Sequence, residues 1–378
     1  MSKLKSRDSG IELLKIFAMI IIVSSHVIQT LSYQRINGDL VFDLTLAGQG
    51  ITNSIIAALQ YNGAIGNFIF FSCSAWFLVD SEKANKRKIL LMILDVWIIS
   101  VVILIITYIF KHGSIGLIEI IRNIFPITYQ NNWYITCYIL FYAIHPLLNQ
   151  VINGMNKQQH FRVVFAMVVI YYFWGFVASV VREASFYGNV LVMWMVLYFV
   201  IAYMKRYMPK LCCNVKMNIL LLAIALLGNY GLIFGTNILK MASGVFADKM
   251  QFWNKGNNPF IILLSISLVN IAKEVKWKNR AVNYIASLTL YIYIIHENWF
   301  IRCYLRPDLW QKIYENFGYT HVFTWIIIMT AAIFICSVLL SIVYERTLHK
   351  LIVKISDRAY ISLVKIYNKI EQQLVRLN

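Results

Sequence analysis

The sequence predicts an all-α, polytopic membrane protein of about ten transmembrane helices, with both termini cytoplasmic. Three observations carry that expectation. Of 378 residues, 60% are apolar and 14% charged, and mean hydropathy is +0.64; soluble domains are about a quarter charged. Apolar runs of about 20 residues, enough for a helix to cross a hydrocarbon core of roughly 30 Å, recur along the whole chain. Alternating segments of about ten residues, which a transmembrane barrel needs, are not visible.

In order, the expected spans are 11–30, 52–78, 89–110, 133–151, 163–180, 190–204, 217–235, 259–273, 283–300 and 321–344. The first lies within "GIELLKIFAMIIIVSSHVIQ". It has a basic flank, but no small-residue cleavage pattern follows and it holds polar residues of its own. It is therefore expected to stay as a membrane helix rather than be removed. The third span carries Asp95 in "ILLMILDVWIIS". The fourth begins at Asn131, Asn132, Trp133 and Tyr134, where an aromatic pair ordinarily anchors a helix at the interface, and carries His145 before Pro146. The ninth ends in "YIYIIHENWF", which supplies His296 and Glu297. Cys73, Cys137 and Cys336 fall inside spans, as small apolar thiols do. With no metal-ligand spacing among the six cysteines, neither a metal site nor a structural disulfide is expected.

Charge sets the orientation. Lys and Arg of membrane proteins gather in cytoplasmic loops, which explains the net charge of +18 without a nucleic-acid partner. With the N-terminus inside, about 24 of the 35 Lys and Arg fall on the cytoplasmic side and about 10 outside; the inverted topology reverses that ratio. The clusters responsible are "KLKSR", "KANKRK", "KRYMPK", "KEVKWKNR" and the tail. The outer loops "SYQRINGDLVFDLTLAGQG", "KHGSIGLIEIIRNIFPITYQNN", "TNILKMASGVFADKMQFWNKGNN" and "RCYLRPDLWQKIYENFGY" mix aromatic and polar residues. That suits either an interface belt or a site that stacks on sugars. Residues 1–346 form one expected membrane domain, with no linker or clear internal repeat. In 347–378, Leu363, Tyr367, Ile370, Leu374 and Leu377 recur at 4-3-4-3 spacing, the pattern of a basic amphipathic helix lying on the inner leaflet.

Ionisable groups are costly in hydrocarbon, so those inside spans single out a site. Lys15 and His26 are eleven residues apart. At about 100° per residue they share one face of the first helix, about 16 Å apart along its axis. Glu12 precedes Lys15 by three and can pair with it. Each has a structural alternative: Lys15 can snorkel to the headgroups, and His26 can bond a neighbouring helix. Asp95 lies at a depth comparable with Lys15 and is a second candidate counter-ion. His296 and Glu297 lie at a depth comparable with His26, whereas His145 is assigned a structural role. An imidazole facing a membrane cavity serves as proton relay, ligand hydrogen bond or general base. Proton carriers string Asp and Glu through the membrane centre, and this chain has few, which favours acid–base chemistry on a hydroxyl.

The order of segments resembles the integral-membrane acyltransferase-3 family, which includes bacterial surface-polysaccharide O-acetyltransferases. The family's first span carries an Arg, ten residues and a His; the phrase here is "IELLKIFAMIIIVSSH". "GAIGNFIFFSCSAWFLVD", "NNWYITCYILFYAIHPLLN", "LYFVIAYMKRYMP" and "NYIASLTLYIYIIHENWFIR" follow in order, so the resemblance covers essentially the whole chain. Lys15 stands where the family usually has Arg, keeping the charge but losing the planar fork. Ala75 and Trp76 replace a usual Gly-Tyr, and "KANKRK" stands in for a paired-Arg motif.

The resemblance implies a multi-pass protein of the bacterial cytoplasmic membrane, surrounded by lipid. Its acyl donor is acetyl-CoA, and its acceptor is a hydroxyl of an extracytoplasmic glycan or a lipid-linked precursor. On that footing His26 acts as general base or transiently accepts the acetyl group. Lys15 orders the donor's path or pairs with Glu12 or Asp95, and His296 and Glu297 orient His26 or the acceptor. Lys86, Arg87 and Lys88 hold the CoA phosphates. Rival classes fit part of the pattern. A transporter or flippase of glycan-lipid intermediates predicts a mid-bilayer polar cavity and usually a repeat. A glycan polymerase needs a large outer loop with paired catalytic groups, and a scaffold with a degenerate site would tolerate Lys15.

Overall fold

Lipid offers the backbone no hydrogen-bond partner, so each crossing must satisfy its N–H and C=O groups within its own helix. The computed structural model describes residues 9–31, 33–36, 39–42, 51–110, 115–182, 190–244, 257–318 and 320–377, and it is a helical membrane protein. Helix α1 (Ser9–Leu31) leads into a hairpin of β1 (Tyr33–Ile36) and β2 (Asp39–Phe42), paired antiparallel with Tyr33 opposite Phe42. Then come α2 (Ile51–Leu78), α3 (Lys86–Phe110), α4 (Leu117–Ile124) and α5 (Trp133–Asn153). Helix α6 (Lys157–Val168) passes through a widened π-turn (Val169–Trp174) into α7 (Gly175–Arg182). Helices α8 (Val190–Tyr207), α9 (Pro209–Cys212), α10 (Val215–Ser243) and α11 (Pro259–Glu274) follow. The C-terminal part holds α12 (Arg280–Ser287), α13 (Thr289–His296), a second π-turn (Ile301–Leu305), α14 (Arg306–Phe317), α15 (Val322–Arg346) and α16 (Leu348–Leu377).

Among the described residues, eight helices are long and apolar enough to cross a membrane: α1, α2, α3, α5, the composite of α6 and α7, α8, α10 and α15. The two other expected spans take different forms. Helix α11 is only 16 residues long. The segment 283–300 is divided at Leu288 and again at Glu297 and Asn298, so His296 ends a helix and Glu297 follows it in a turn.

Two stretches expected as outer loops contain helices. In α4, Leu117, Ile118 and Ile124 are exposed while Asn123 is buried, and the Glu119 carboxylate returns to accept from the Gly116 N–H at 3.1 Å. Helix α14 carries Pro307 and Asp308 in its first turn and stops at Gly318, whose φ of 57° a glycine tolerates.

The bundle is centred on α1 and α2. Between helices in lipid there is no water to expel, so close approach through small residues supplies the packing. A Cβ on Gly66 would lie 2.6 Å from Ile22 Cγ1 and 2.8 Å from the Ala18 carbonyl oxygen; one on Gly63 would lie 2.8 Å from Ser25 Cβ. The "GAIG" phrase is thus the seam that seats α2 against the face of α1 leading to His26. Beside it, Phe71 stacks on Trp194 with ring centroids 4.6 Å apart, and Tyr134 meets Trp194 edge-on at 4.8 Å. Tyr134 is buried in this aromatic core rather than anchored at the interface, and Asn131 and Asn132 before it are buried as well. Peripheral helices α3, α10 and α15 instead present Ile109, Leu227 and Ile327 outward.

The tail forms one helix from Leu348. Ile352 and Ser356 are buried, Asp357 pairs with Arg87 of α3, and Leu363 and Ile370 are exposed. The side chains of Tyr367, Leu374 and Leu377 lie outside the described residues.

Candidate functional site

Neighbouring elements hold the α1 backbone around His26 from two sides. Ser25 donates to the Gln60 carbonyl of α2, and Trp310 Nε1 of α14 donates to the Val27 carbonyl at 2.9 Å. The imidazole therefore projects from a fixed stretch of helix. It points into protein rather than lipid, with its side chain 12% exposed.

His296 and Glu297 face it. His26 Nδ1 lies 3.1 Å from His296 Nε2 and 2.9 Å from Glu297 Oε2, and the two rings stack with centroids 5.3 Å apart. The tautomers follow from the partners. His296 Nδ1 is 2.8 Å from the Ile292 carbonyl oxygen, which can only accept, so that nitrogen carries a proton. Nε2 of neutral His296 is then an acceptor. His26 Nδ1, lying between that nitrogen and a carboxylate, must donate, which leaves the lone pair on His26 Nε2. A carboxylate fixing one imidazole nitrogen so that the other can take a proton is the arrangement of a general base.

The carboxylate is itself held. Arg306 donates from Nη2 to Glu297 Oε2 at 2.9 Å, and Arg302 from Nη1 to Oε1 at 3.3 Å. Sequence periodicity conceals both. On a continuous α-helix, residues five and nine beyond Glu297 would lie about 140° and about 180° around from it. The break at Glu297–Asn298 and the π-turn Ile301–Leu305 bring them onto one carboxylate instead. Such π-turns recur at functional sites, but nothing in the local sequence announced this one.

His26, His296 and Glu297 each offer a ligand atom, all within 4.8 Å of one another, which is a spacing and donor set a metal accepts. The charges oppose it. A divalent cation would sit beside two guanidinium groups already bonded to the only carboxylate of the trio.

At the other end of the shared α1 face lies a polar cavity of about 610 Å³. Lys15, Glu12, Lys88, Lys273, Glu274 and Lys276 all line it, together with Trp76. Lys15 Nζ sits 3.1 Å from each Glu12 carboxylate oxygen, so Glu12 is its counter-ion. Asp95 is not: it accepts from Tyr344 at 2.6 Å and from His349 Nδ1 at 3.0 Å, between α15 and α16. Of the three basic residues expected to act together, Lys88 lines the cavity, whereas Lys86 and Arg87 do not; Arg87 is turned to Asp357. Lys273 and Lys276 take the remaining places. Their signal is present in "KEVKWKNR", a cluster that charge asymmetry alone marks as orienting. Trp76 lies 4.9 Å from Lys205 and 5.3 Å from Lys273 across its ring. His145 is buried against its own helix, with Nδ1 2.6 Å from the Tyr142 carbonyl, as a structural histidine is.

Between the two ends, Ala18, Met19 and Ile22 of α1 are buried in the same core as Tyr134 and Tyr293. Tyr293 meets Tyr134 at 5.4 Å and His296 edge-on at 5.5 Å. A further cavity of about 670 Å³, between α3, α15 and the second π-turn, is lined mainly by aliphatic side chains.

A family model described as "Acyltransferase domain" matches residues 8–342, nearly the whole chain. No curated protein and no solved structure matches it.

Proposed function

The chain belongs to the acyltransferase-3 family of membrane acyltransferases, and on that premise we propose that it moves an acetyl group from cytoplasmic acetyl-CoA to a glycan hydroxyl. The acceptor is an extracytoplasmic cell-surface polysaccharide or its lipid-linked precursor, and the membrane is a bacterial plasma membrane. The observation that carries this reading is the 2.9 Å contact between His26 Nδ1 and Glu297 Oε2, on the same helix face as the lysine-lined cavity.

In this scheme the donor's phosphates bind Lys88, Lys273 and Lys276, where clustered positive charge attracts an anion. Lys15, neutralised by Glu12, sits where the thioester arm turns along α1. His26 Nε2 accepts the proton of the acceptor hydroxyl as its oxygen forms a bond to the acetyl carbonyl carbon. The carbon–sulfur bond then breaks, and CoA leaves as a thiolate that takes up a proton. Glu297 stabilises the imidazolium formed meanwhile. His26 can alternatively carry the acetyl group transiently, with the same residues around it.

The test is incubation of membranes bearing the protein with radiolabelled acetyl-CoA. Label is expected in glycan, and only when the protein is present. A lipid or glycan transporter, or a polymerase, leaves the glycan unlabelled, and that result would overturn the reading.

A further inference from the structure

We infer that Arg306, assisted by Arg302, is a positioning residue for the reaction: a guanidinium that fixes the Glu297 carboxylate so that it in turn fixes His26. The inference rests on the proposed acyl transfer and adds a residue to it. Its basis is a set of contacts that stability alone does not explain.

Arg306 is one of the most deeply buried charged residues in the described chain, at 1% exposure. It continues the second π-turn into α14, inside a helical run unbroken from Trp299. Buried ion pairs are weak contributors to stability, because desolvation offsets the attraction. A guanidinium buried this deeply therefore needs another reason. The contact supplies it: Arg306 Nη2 and His26 Nδ1 are each 2.9 Å from the same oxygen, Glu297 Oε2. Among the described residues, the other nitrogens of Arg306, Nε and Nη1, have no hydrogen-bond partner, so within them this carboxylate is its anchor.

Arg302 reaches the second oxygen, and its guanidinium also lies 5.4 Å from the Trp299 ring centroid. With both oxygens engaged, the carboxylate cannot rotate away from the imidazole. Without Arg306, Oε2 loses the donor opposite His26, and the Nδ1–H tautomer loses part of its preference. His296 then competes as an alternative partner for the same ring nitrogen.

The test is a double-mutant cycle on transfer rate per folded molecule, with Arg306→Gln, Glu297→Gln and both together. Arg306→Gln is expected to lower kcat about a hundredfold and Glu297→Gln about a thousandfold, within the range of general-base contributions. KM for acetyl-CoA should be unchanged in each. The double variant should lose no more than about threefold beyond Glu297→Gln alone, because Arg306 acts through that carboxylate. If Arg306→Gln does not fold, the same cycle is run with Arg306→Lys, alone and combined with Glu297→Gln, and the same threefold limit applies to that double variant. Arg306→Lys keeps the charge without the fork and should fall between wild type and Arg306→Gln.

Losses that multiply, or wild-type kcat in Arg306→Gln, would overturn the inference. Side-chain ¹⁵N spectra of histidine-labelled protein separate it from the functional reading, since they need no turnover. His26, assigned from the signal lost in His26→Gln, should show an Nδ1–H tautomer in wild type and a mixture in Arg306→Gln. An unchanged tautomer contradicts the positioning role even if acetyl transfer is established, and absence of transfer with a shifted tautomer contradicts only the function.

Discussion

The seam between α1 and α2 places His26, so a single methyl group there should damage catalysis from a distance. In Gly63→Ala the new Cβ would lie 2.8 Å from Ser25 Cβ, where two carbons prefer about 3.5–4.0 Å. The obstructing atoms belong to the residue just before His26, and the same Ser25 hydroxyl is tied to the Gln60 carbonyl. The helices must part by about 1 Å to relieve the overlap, and overpacking of this kind costs about 1–3 kcal/mol. A displacement of about 1 Å at a reacting group can cost about a hundredfold in rate. The assay is acetyl transfer per folded molecule alongside thermal unfolding in detergent. The control is Gly231→Ala on α10, where an added Cβ meets nothing within 4 Å. Removing a mid-helix glycine there should leave stability equal or raise it by up to about 1 kcal/mol. Wild-type rate and unchanged unfolding temperature in Gly63→Ala would refute the claim that this seam sets the position of the base.

Other consequences concern the cavity end. Lys15→Arg should keep or raise activity, since the charge facing Glu12 is retained, while Lys15→Ala should abolish transfer; an active alanine variant removes Lys15 from the mechanism. Lys273→Gln and Lys276→Gln should each raise KM for acetyl-CoA about fivefold, roughly 1 kcal/mol, with little change in kcat and a smaller effect at high salt. Steady-state kinetics at two ionic strengths check this, and an unchanged KM would place the phosphates elsewhere. Treatment with a strong chelator should leave the transfer rate unchanged; loss of activity restored by zinc would make His26, His296 and Glu297 a metal site.

The sequence disclosed those features that depend on one helix and concealed those that depend on two. The relation of Glu12, Lys15 and His26 needed only the α-helical advance, and α1 preserves it as one unbroken helix. The apolar spans were legible because lipid enforces them residue by residue. The pairing of His26 with Glu297 joins segments some 270 residues apart, and no local pattern encodes it. Helical periodicity would set Arg302 and Arg306 away from Glu297, because it assumes a continuity that the break at Asn298 removes and a regular turn that the π-turn replaces. Asp95 is a candidate counter-ion for Lys15 on depth alone, but depth does not specify direction around the bundle, and the carboxylate turns to Tyr344 and His349. Tyr134 was misplaced for a related reason: an aromatic at a helix start resembles an interface anchor until Trp194 and Tyr293 are seen packed on it.

The most direct measurement is the rate at which His26→Ala, at normal abundance and with acetyl-CoA binding retained, passes label from donor to glycan. The geometry of Nδ1 on Glu297, which leaves the lone pair on Nε2, predicts that label stays with the donor, with transfer at background. Glycan labelled by that variant at the wild-type rate would mean that the imidazole is not where the chemistry happens.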